Sequence, residues 1–529
     1  MENIFILPVS DATEVALAKP MMDIIKKHFD TKTCQLIIAS PENLVIDSLT
    51  EGISVTCMGV KGTFSKSFCY NKAVKDFDGD FYIFLNPRET IDDKFLDFNF
   101  ANLKNDINIF DSTCKEGVLD LNDLLTGRFL YDAIVCKWAF KEKLGYWFED
   151  YYAPVEMFRF CLNAASHGLS VGTVCHKMLA NEKGNGIPEK YVKKLNKVYK
   201  SCNEGDLTCI LSFINEKHEV ERTVNSIRYM SDSVKILLVN DCSDDEFDYK
   251  SIAEKYNCDY VELPQRIGSA GGKNVGGLLA KSKYMCFFDA HMRLYREGWD
   301  TEIIGYLKEH PQSIIAPRSI YLGLDDDGFV TNENGLEGNG HRGLSACCSM
   351  VFQPSYEFDP KWTEIFVDEN PKNKLSPVPC VLGAVYAMET DWWKKIHGFN
   401  GLQIYGLEES LMSLKTFLFG GTCYVIKDWG VGHIYRKHNS APINPRFVDA
   451  NRIFLTHLFR EDKYKEYKKN LEGRIGVERY AESERIYNAV NGMMEREREY
   501  VKSNSVRTIE DFLEFDKKVA MRDHKQYIV

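Results

Sequence analysis

The stretch Tyr284-Met-Cys-Phe-Phe-Asp-Ala-His291 decides how this chain is read. An apolar, strand-compatible run ends abruptly in two potential metal ligands, Asp289 and His291, one position apart. Side chains at i and i+2 of a strand share a face, so both can reach one ion at the strand's carboxyl end. That is where open α/β sheets bind their ligands. Oxygen-rich sites favour Mg2+ or Mn2+, and an imidazole shifts the preference towards Mn2+. An Asp-x-His pair by itself is a weak signal, so its surroundings decide.

Upstream, 207–213 reads as a buried strand and 219–229 has helical periodicity. A second strand at 234–239 ends in Asn240-Asp241-Cys-Ser-Asp-Asp245, followed by a helix at 248–256 and a third strand at 260–263. Gly268-Ser-Ala-Gly-Gly-Lys-Asn274 reads as a glycine-rich turn into a helix over 275–281. Strands alternating with helices of this length predict βαβ units and a mainly parallel sheet. Two neighbouring strand ends, Ser212-Phe-Ile-Asn-Glu216 and the one at Asp241, form a crevice whose carboxylates can hold ribose hydroxyls or a base N–H. The alternative for Asp241, Asp244 and Asp245 is a turn or cap role. The glycine cluster matches neither GxGxxG nor GxxxxGK[ST]. Its helix start, with Arg266 just before and Lys273 inside, can still face an anion.

The first 200 residues alternate in the same way, with strands at 4–7, 35–39 and 81–85 and helical stretches at 14–27 and 152–167. They read as an earlier copy of the second domain. Placed 203 positions apart, Asn71 falls on Asn274, Phe84 on Phe287, Asn86 on Asp289 and Arg88 on His291. Further along the offset is 253, with Glu156 on Glu409 and Gly168 on Gly421. Both metal ligands are replaced in the first copy, one by an arginine, which predicts a non-catalytic domain. The expected organisation is a degenerate domain at 1–200, a linker at 201–206, a catalytic domain at 207–460 and a helical tail at 461–529. The tail is highly charged, with helices at 461–470, 477–499 and 509–519, and reads as a solvated appendage or an element for homo-oligomerisation.

With 44% hydrophobic and 27% charged residues the chain is an ordinary globular one. Its formal charge of −11 argues against a general affinity for phosphate backbones. No apolar run reaches the roughly 20 residues of a membrane span, and Met-Glu-Asn-Ile-Phe-Ile-Leu-Pro reads as a first strand rather than a signal peptide. A cytoplasmic location is the expectation. Sixteen scattered cysteines without CxxC spacing are read as reduced core thiols.

Seven blocks then occur in order: Phe213-Ile-Asn-Glu216, Val239-Asn-Asp241, Gly268…Asn274, Phe288-Asp-Ala-His291, Pro379-Cys-Val-Leu-Gly-Ala-Val-Tyr-Ala-Met388, Gly398-Phe-Asn…Tyr405-Gly-Leu-Glu-Glu-Ser410 and Gly432-His-Ile-Tyr-Arg436. Over about residues 207–447 the chain resembles GT-A-fold glycosyltransferases, most closely the polypeptide N-acetylgalactosaminyltransferases and the family-2 glycosyltransferases. The resemblance implies a GT-A domain, and with the internal repeat this predicts tandem GT-A domains; it also implies a UDP-sugar donor and a hydroxyl acceptor of unknown identity (protein, glycan or modified nucleobase). It matches Asp289 and His291 to the family's metal motif and His433 to its third ligand, with Mn2+ or Mg2+ between them. It places Phe213, Asn215, Glu216 and Asp241 on the uridine-binding edge and Arg266 near the nucleotide; Gly268 and Lys273 are donor-binding candidates through the helix start beside it. Gly383 falls in the segment that approaches the donor sugar, and Arg436 opens a mobile loop over the diphosphate.

Glu408 and Glu409 bear on stereochemistry. In the peptide-modifying family the second position is usually asparagine, and that family retains anomeric configuration. In inverting family-2 enzymes it is a carboxylate acting as general base. Glu409 therefore points to inversion, with helix capping as the competing role for both glutamates. A retaining N-acetylgalactosaminyltransferase-like enzyme and a catalytically silent acceptor-binding scaffold are the other readings. Trp362, and His341-Arg-Gly343 within 332–343, are candidate acceptor contacts; Trp392 and Trp393 are read as packing.

Overall fold

A computed structural model of the chain describes residues 3–60, 66–91, 93–110, 117–119, 133–137, 160–161, 164–165, 169–174, 179–180, 205–231, 233–324, 330–331, 347–351, 358–363, 366–435 and 440–522. The chain divides into two compact units, residues 1–197 with 323–339 and residues 198–322 with 340–529. The side chain of Trp362, residues 332–343, Glu156, Gly168 and Arg436 lie outside what is described.

In the first unit an eight-stranded sheet runs in the order Thr56–Val60, Cys34–Pro41, Asn3–Pro8, Phe81–Leu85, Ala133–Lys137, Ile107–Phe110, Val171–Val174, Gly117–Leu119. The central strands are nearly continuous apolar runs because both faces are covered. Phe5, Leu36, Ile83, Phe100 and Phe110 belong to its core.

The second unit holds a ten-stranded sheet whose main path is Asp259–Glu262, Lys235–Asn240, Leu207–Phe213, Tyr284–Phe288, Val385–Glu389, Ser313–Leu324, Thr422–Ile434, Met292–Arg293. Tyr284–Phe288 lies parallel to Leu207–Phe213 on one side and antiparallel to Val385–Glu389 on the other. All five of its residues are buried. The two sheets share one pattern of directions: three parallel pairings, two antiparallel, one parallel, one antiparallel. Their last strands differ in chain position. Met292–Arg293 follows Tyr284–Phe288 directly, whereas in the first unit the corresponding Glu89–Thr90 pairs with Leu179–Ala180 in a separate ladder.

Two expectations change. The segment 268–274 is not a turn: a helix spans Gly268–Leu279. Its glycines let it press onto the sheet. A Cβ on Gly272 would sit 2.1 Å from Ser212 Oγ, and one on Gly276 would sit 2.2 Å from Ile210 Cγ2. The charged tail, in turn, is no solvated appendage. Its helices Tyr464–Ile475, Val477–Asn488, Asn491–Asn504 and Ile509–Arg522 each turn an apolar stripe inward. Tyr467, Leu471, Tyr487, Met494 and Phe512 join the same core cluster as Phe287 and Tyr386. Buried polar ties reinforce this: Lys415 Nζ lies 2.6 Å from Glu497, which also meets His397 at 2.9 Å. Arg507 donates to the carbonyls of Phe417, Gly420 and Gly421, closing the end of the helix Glu408–Leu418. No helix among the described residues is long and apolar enough to cross a membrane. The buried thiols of Cys209, Cys286 and Cys423 are pushed up in pKa by burial, as core thiols are.

Candidate active site

The strand Tyr284–Phe288 delivers Asp289 and His291 to the sheet's carboxyl edge, and the chain then doubles into Met292–Arg293. That short strand pairs antiparallel with the end of Thr422–Ile434, Met292 opposite His433. A histidine more than a hundred residues away is thereby set beside the first two ligands. One ligand atom from each of Asp289, His291 and His433 falls within 4.8 Å of the others. His433 Nε2 lies 3.4 Å from Asp289 Oδ2, and the two imidazole rings are 4.9 Å apart. One carboxylate and two imidazoles converging in this way could hold a divalent metal ion.

The turn is braced from behind. Thr223 Oγ1 donates to Ala290 O at 2.8 Å and accepts from Met292 N at 2.9 Å. Fully buried Arg293 forms an ion pair with Glu219 at 2.7 Å. Burial opposes ionisation of Glu219, but Arg293 and Arg222 win and hold it at about 2. Glu216 Oε2 stands 3.4 Å from His291 Nδ1. It is thus a carboxylate behind a histidine, the arrangement that orients metal-binding imidazoles.

Below this corner lies a cavity of about 570 Å3. Its walls include Phe213, Glu216, Asp241, Arg266, Gly268, Lys273, Gly383, Glu408 and Glu409 together with Asp289, His291 and His433. Of the described site residues expected from the sequence, all but Asn215 are there. Asn215, with a positive φ of 54°, clamps the neighbouring loop instead. Its amide donates to Asp244 Oδ1 at 2.7 Å, and its carbonyl oxygen accepts from Asp244 N at 3.0 Å.

Asp241 serves as the cap the sequence allowed: its two oxygens accept from Ile267 N (2.7 Å) and Gly268 N (2.8 Å) at the start of the glycine-rich helix. Burial raises its pKa against those two bonds. Gly268 has φ +79°, and a Cβ there would strike Ile404 O at 2.1 Å. Arg266 reaches Pro442 O at 3.2 Å, in the segment whose Ser440, Ala441 and Ile443 also line the cavity.

Lys273 is buried, its ammonium 3.7 Å from Asp289 Oδ1 and 4.0 Å from Glu409 Oε1. Burial opposes its charge, but Tyr386, Asp289 and Glu409 keep its pKa well above the usual value. For Asp289, burial is likewise outweighed by Lys273 and by a hydrogen bond from His433, and its carboxyl stays ionised down to about 2. Glu409 differs. Burial and the adjacent Glu408 carboxylate push it up to about 7, against the pull of Lys273. Both glutamates occupy the first turn of the helix Glu408–Leu418. Glu408 turns back to accept from Gly406 N at 2.9 Å, while Glu409 faces Gly383, whose Cβ would lie 2.2 Å from Glu409 Oε1.

Asp359 and Asn451 carry no short-range signal as site residues, and Tyr405 only its place in one of the seven blocks. Asp359 and Tyr405 line the cavity, and Asn451 supports it from the helix Pro445–Phe459. Their place in the fold reveals them. Trp392 and Trp393 are buried, as read from the sequence.

Residues 208–353 match the family model described as Glycosyl transferase family 2. By that match and the relatives below, the chain is similar to glycosyltransferases, among them polypeptide N-acetylgalactosaminyltransferases. Polypeptide N-acetylgalactosaminyltransferase 3 of Taeniopygia guttata is 24% identical over 280 residues, 50% of this chain and 44% of the relative. The Homo sapiens protein of the same name is 24% identical over 278 residues, 50% of this chain and 42% of the relative. The chain thus spans less than half the length of these curated relatives. Among solved structures, GalNAc-T7 with UDP, GalNAc and Mn2+ is similar at a TM-score of 0.47 and 18% identity, over 60% of this chain and 57% of that one. S. aureus TarS 1–349 in complex with UDP-GlcNAc follows at 0.32 and 14%, over 61% of this chain and 93% of that one.

Proposed function

We propose that the second unit transfers a sugar from a UDP-sugar to a hydroxyl acceptor with inversion, using a divalent ion, Mn2+ or Mg2+, held by Asp289, His291 and His433. The observation that carries this reading is Glu409: a carboxylate with its pKa near 7 in the cavity where three metal-type ligands converge. A base tuned to ambient pH is what acceptor activation needs. Glu409 takes the acceptor's O–H proton as that oxygen bonds to the anomeric carbon, and the bond from that carbon to the diphosphate breaks, releasing UDP. A bound divalent ion supplies Lewis-acid stabilisation of the departing diphosphate. Lys273 adds fixed positive charge beside Asp289 and limits how far Glu409's pKa rises. The 440–443 segment, tied to Arg266, lines the cavity, where closing over a bound donor would exclude the water that hydrolyses it.

The first unit reads as a degenerate copy. Glu89 and Thr90 pair with Ala180 and Leu179; adding 203 to the first two and 253 to the others gives Met292, Arg293, His433 and Gly432, which pair in the same way. On that alignment Asn86, Arg88 and Ala180 stand in place of all three metal ligands. Retaining N-acetylgalactosaminyl transfer is the second reading, favoured by the names of the relatives. NMR of the product's anomeric proton decides between them: an inverted anomer supports Glu409 as base, and a retained one overturns it.

A further inference from the structure

The loop at 403–406 runs into Glu408 and Glu409, and its Ile404, Tyr405 and Gly406 form part of the cavity wall. Its backbone is unusual. Ile404, Gly406 and Leu407 have φ values of 51°, 102° and 72°. Non-glycine residues in that region cost on the order of 1–3 kcal/mol each and persist only when neighbours fix them. One side chain fastens the loop at four points. Asn451, fully buried on the helix Pro445–Phe459, shares its amide among the carbonyls of Gln403 (2.9 Å), Tyr405 (3.1 Å) and Gly406 (3.0 Å). Its own carbonyl accepts from Gln403 N at 2.7 Å.

The next residue grips another wall. Arg452 forks onto both oxygens of Asp359 at 2.9 Å. Fully buried Asp449 steadies Arg452 at 2.8 Å and takes Arg479, from the following helices, at 2.7 Å. One turn of one helix therefore fixes two separated walls of the cavity.

We infer that Asn451 is a positioning residue for the reaction: it holds the 403–406 loop so that Glu409 faces the bound acceptor. This rests on Glu409 acting as the base. Without the amide, three carbonyls and a strained turn lose their restraint, and Glu409 drifts from line with the acceptor. Misplacement of about an ångström costs on the order of 100-fold in rate.

The test compares Asn451→Ala in the parent and in Glu409→Gln, with hydrogen exchange of the whole chain as a readout independent of turnover. In the parent, kcat should fall about 100-fold while KM for the UDP-sugar changes less than about twofold. In Glu409→Gln the further loss should be below about twofold, because the group being positioned is already gone. Amides at 404–409 should exchange faster and those of 284–288 should not. Equal losses in both backgrounds, or unchanged exchange at 404–409, overturn the assignment. A fully active Glu409→Gln refutes the base reading instead, and the exchange arm still judges Asn451. If the alanine variant does not fold, Asn451→Ser, which keeps one donor, is read by the same criteria.

Discussion

Replacing Glu409 by glutamine keeps the side chain's shape and removes its ability to accept a proton. As general base the carboxylate contributes about 10²–10⁴-fold, so kcat should fall by that factor with little change in donor affinity. Two pH signatures follow from its pKa. A base must be ionised to act, so the parent's rate should rise as pH climbs through the raised pKa of Glu409. That limb should disappear in the variant. Stability moves the other way. The folded pKa lies above the ordinary 4.5, so the neutral form's contribution is fully present below 4.5 and is lost as pH climbs to about 7. At 1.36 kcal/mol per unit, the ionised group costs the folded state roughly 3 kcal/mol at pH 8. Its side chain is only 17% exposed, so solvent screens little of this. Urea unfolding should therefore show Glu409→Gln more stable than the parent by about that amount at pH 8, with the gain nearly gone at pH 4.5. A variant that kept its activity and the same rising limb would refute the reasoning.

Other changes probe neighbouring parts of the account. Gly383→Ala places a methyl against Glu409 Oε1 and Cδ, at 2.2 and 2.6 Å before relaxation; it should lower kcat by about 10-fold or more while UDP binding, followed by calorimetry, is kept. Asp289→Ala should abolish Mn2+-dependent UDP binding, whereas Asn86→Ala in the first unit should leave it intact. Lys415→Met takes the buried ammonium away from Glu497, leaving it His397, and should cost up to about 3–5 kcal/mol in chemical unfolding; a chain ending at residue 460 should be recovered only as aggregate. A folded truncated protein would restore the reading of an independent tail.

The central strand and the two metal-type side chains at its end were legible because their signal is local: a run buried on both faces, then Asp and His at strand spacing. Order among seven short blocks carried the resemblance, and with it His433. What stayed hidden depends on tertiary distance. The glycines of 268–277 look like a flexible turn until Ser212 and Ile210 are seen to occupy the space a Cβ would need. Lys273 looks like an anion contact until Asp289 and Glu409 stand on either side of it. The tail's many charges masked a narrow stripe through Tyr467, Leu471, Tyr487 and Met494 that closes the core. Asn451 has no sequence signature, because its partners are backbone carbonyls nearly fifty residues upstream.

The most direct measurement is UDP release from a panel of UDP-sugars, with and without Mn2+, by the full chain and by Asp289→Ala. At least one donor should give release that requires the ion and is absent in the variant. Silence with every donor, or release indifferent to both Mn2+ and Asp289, would contradict metal-dependent transfer.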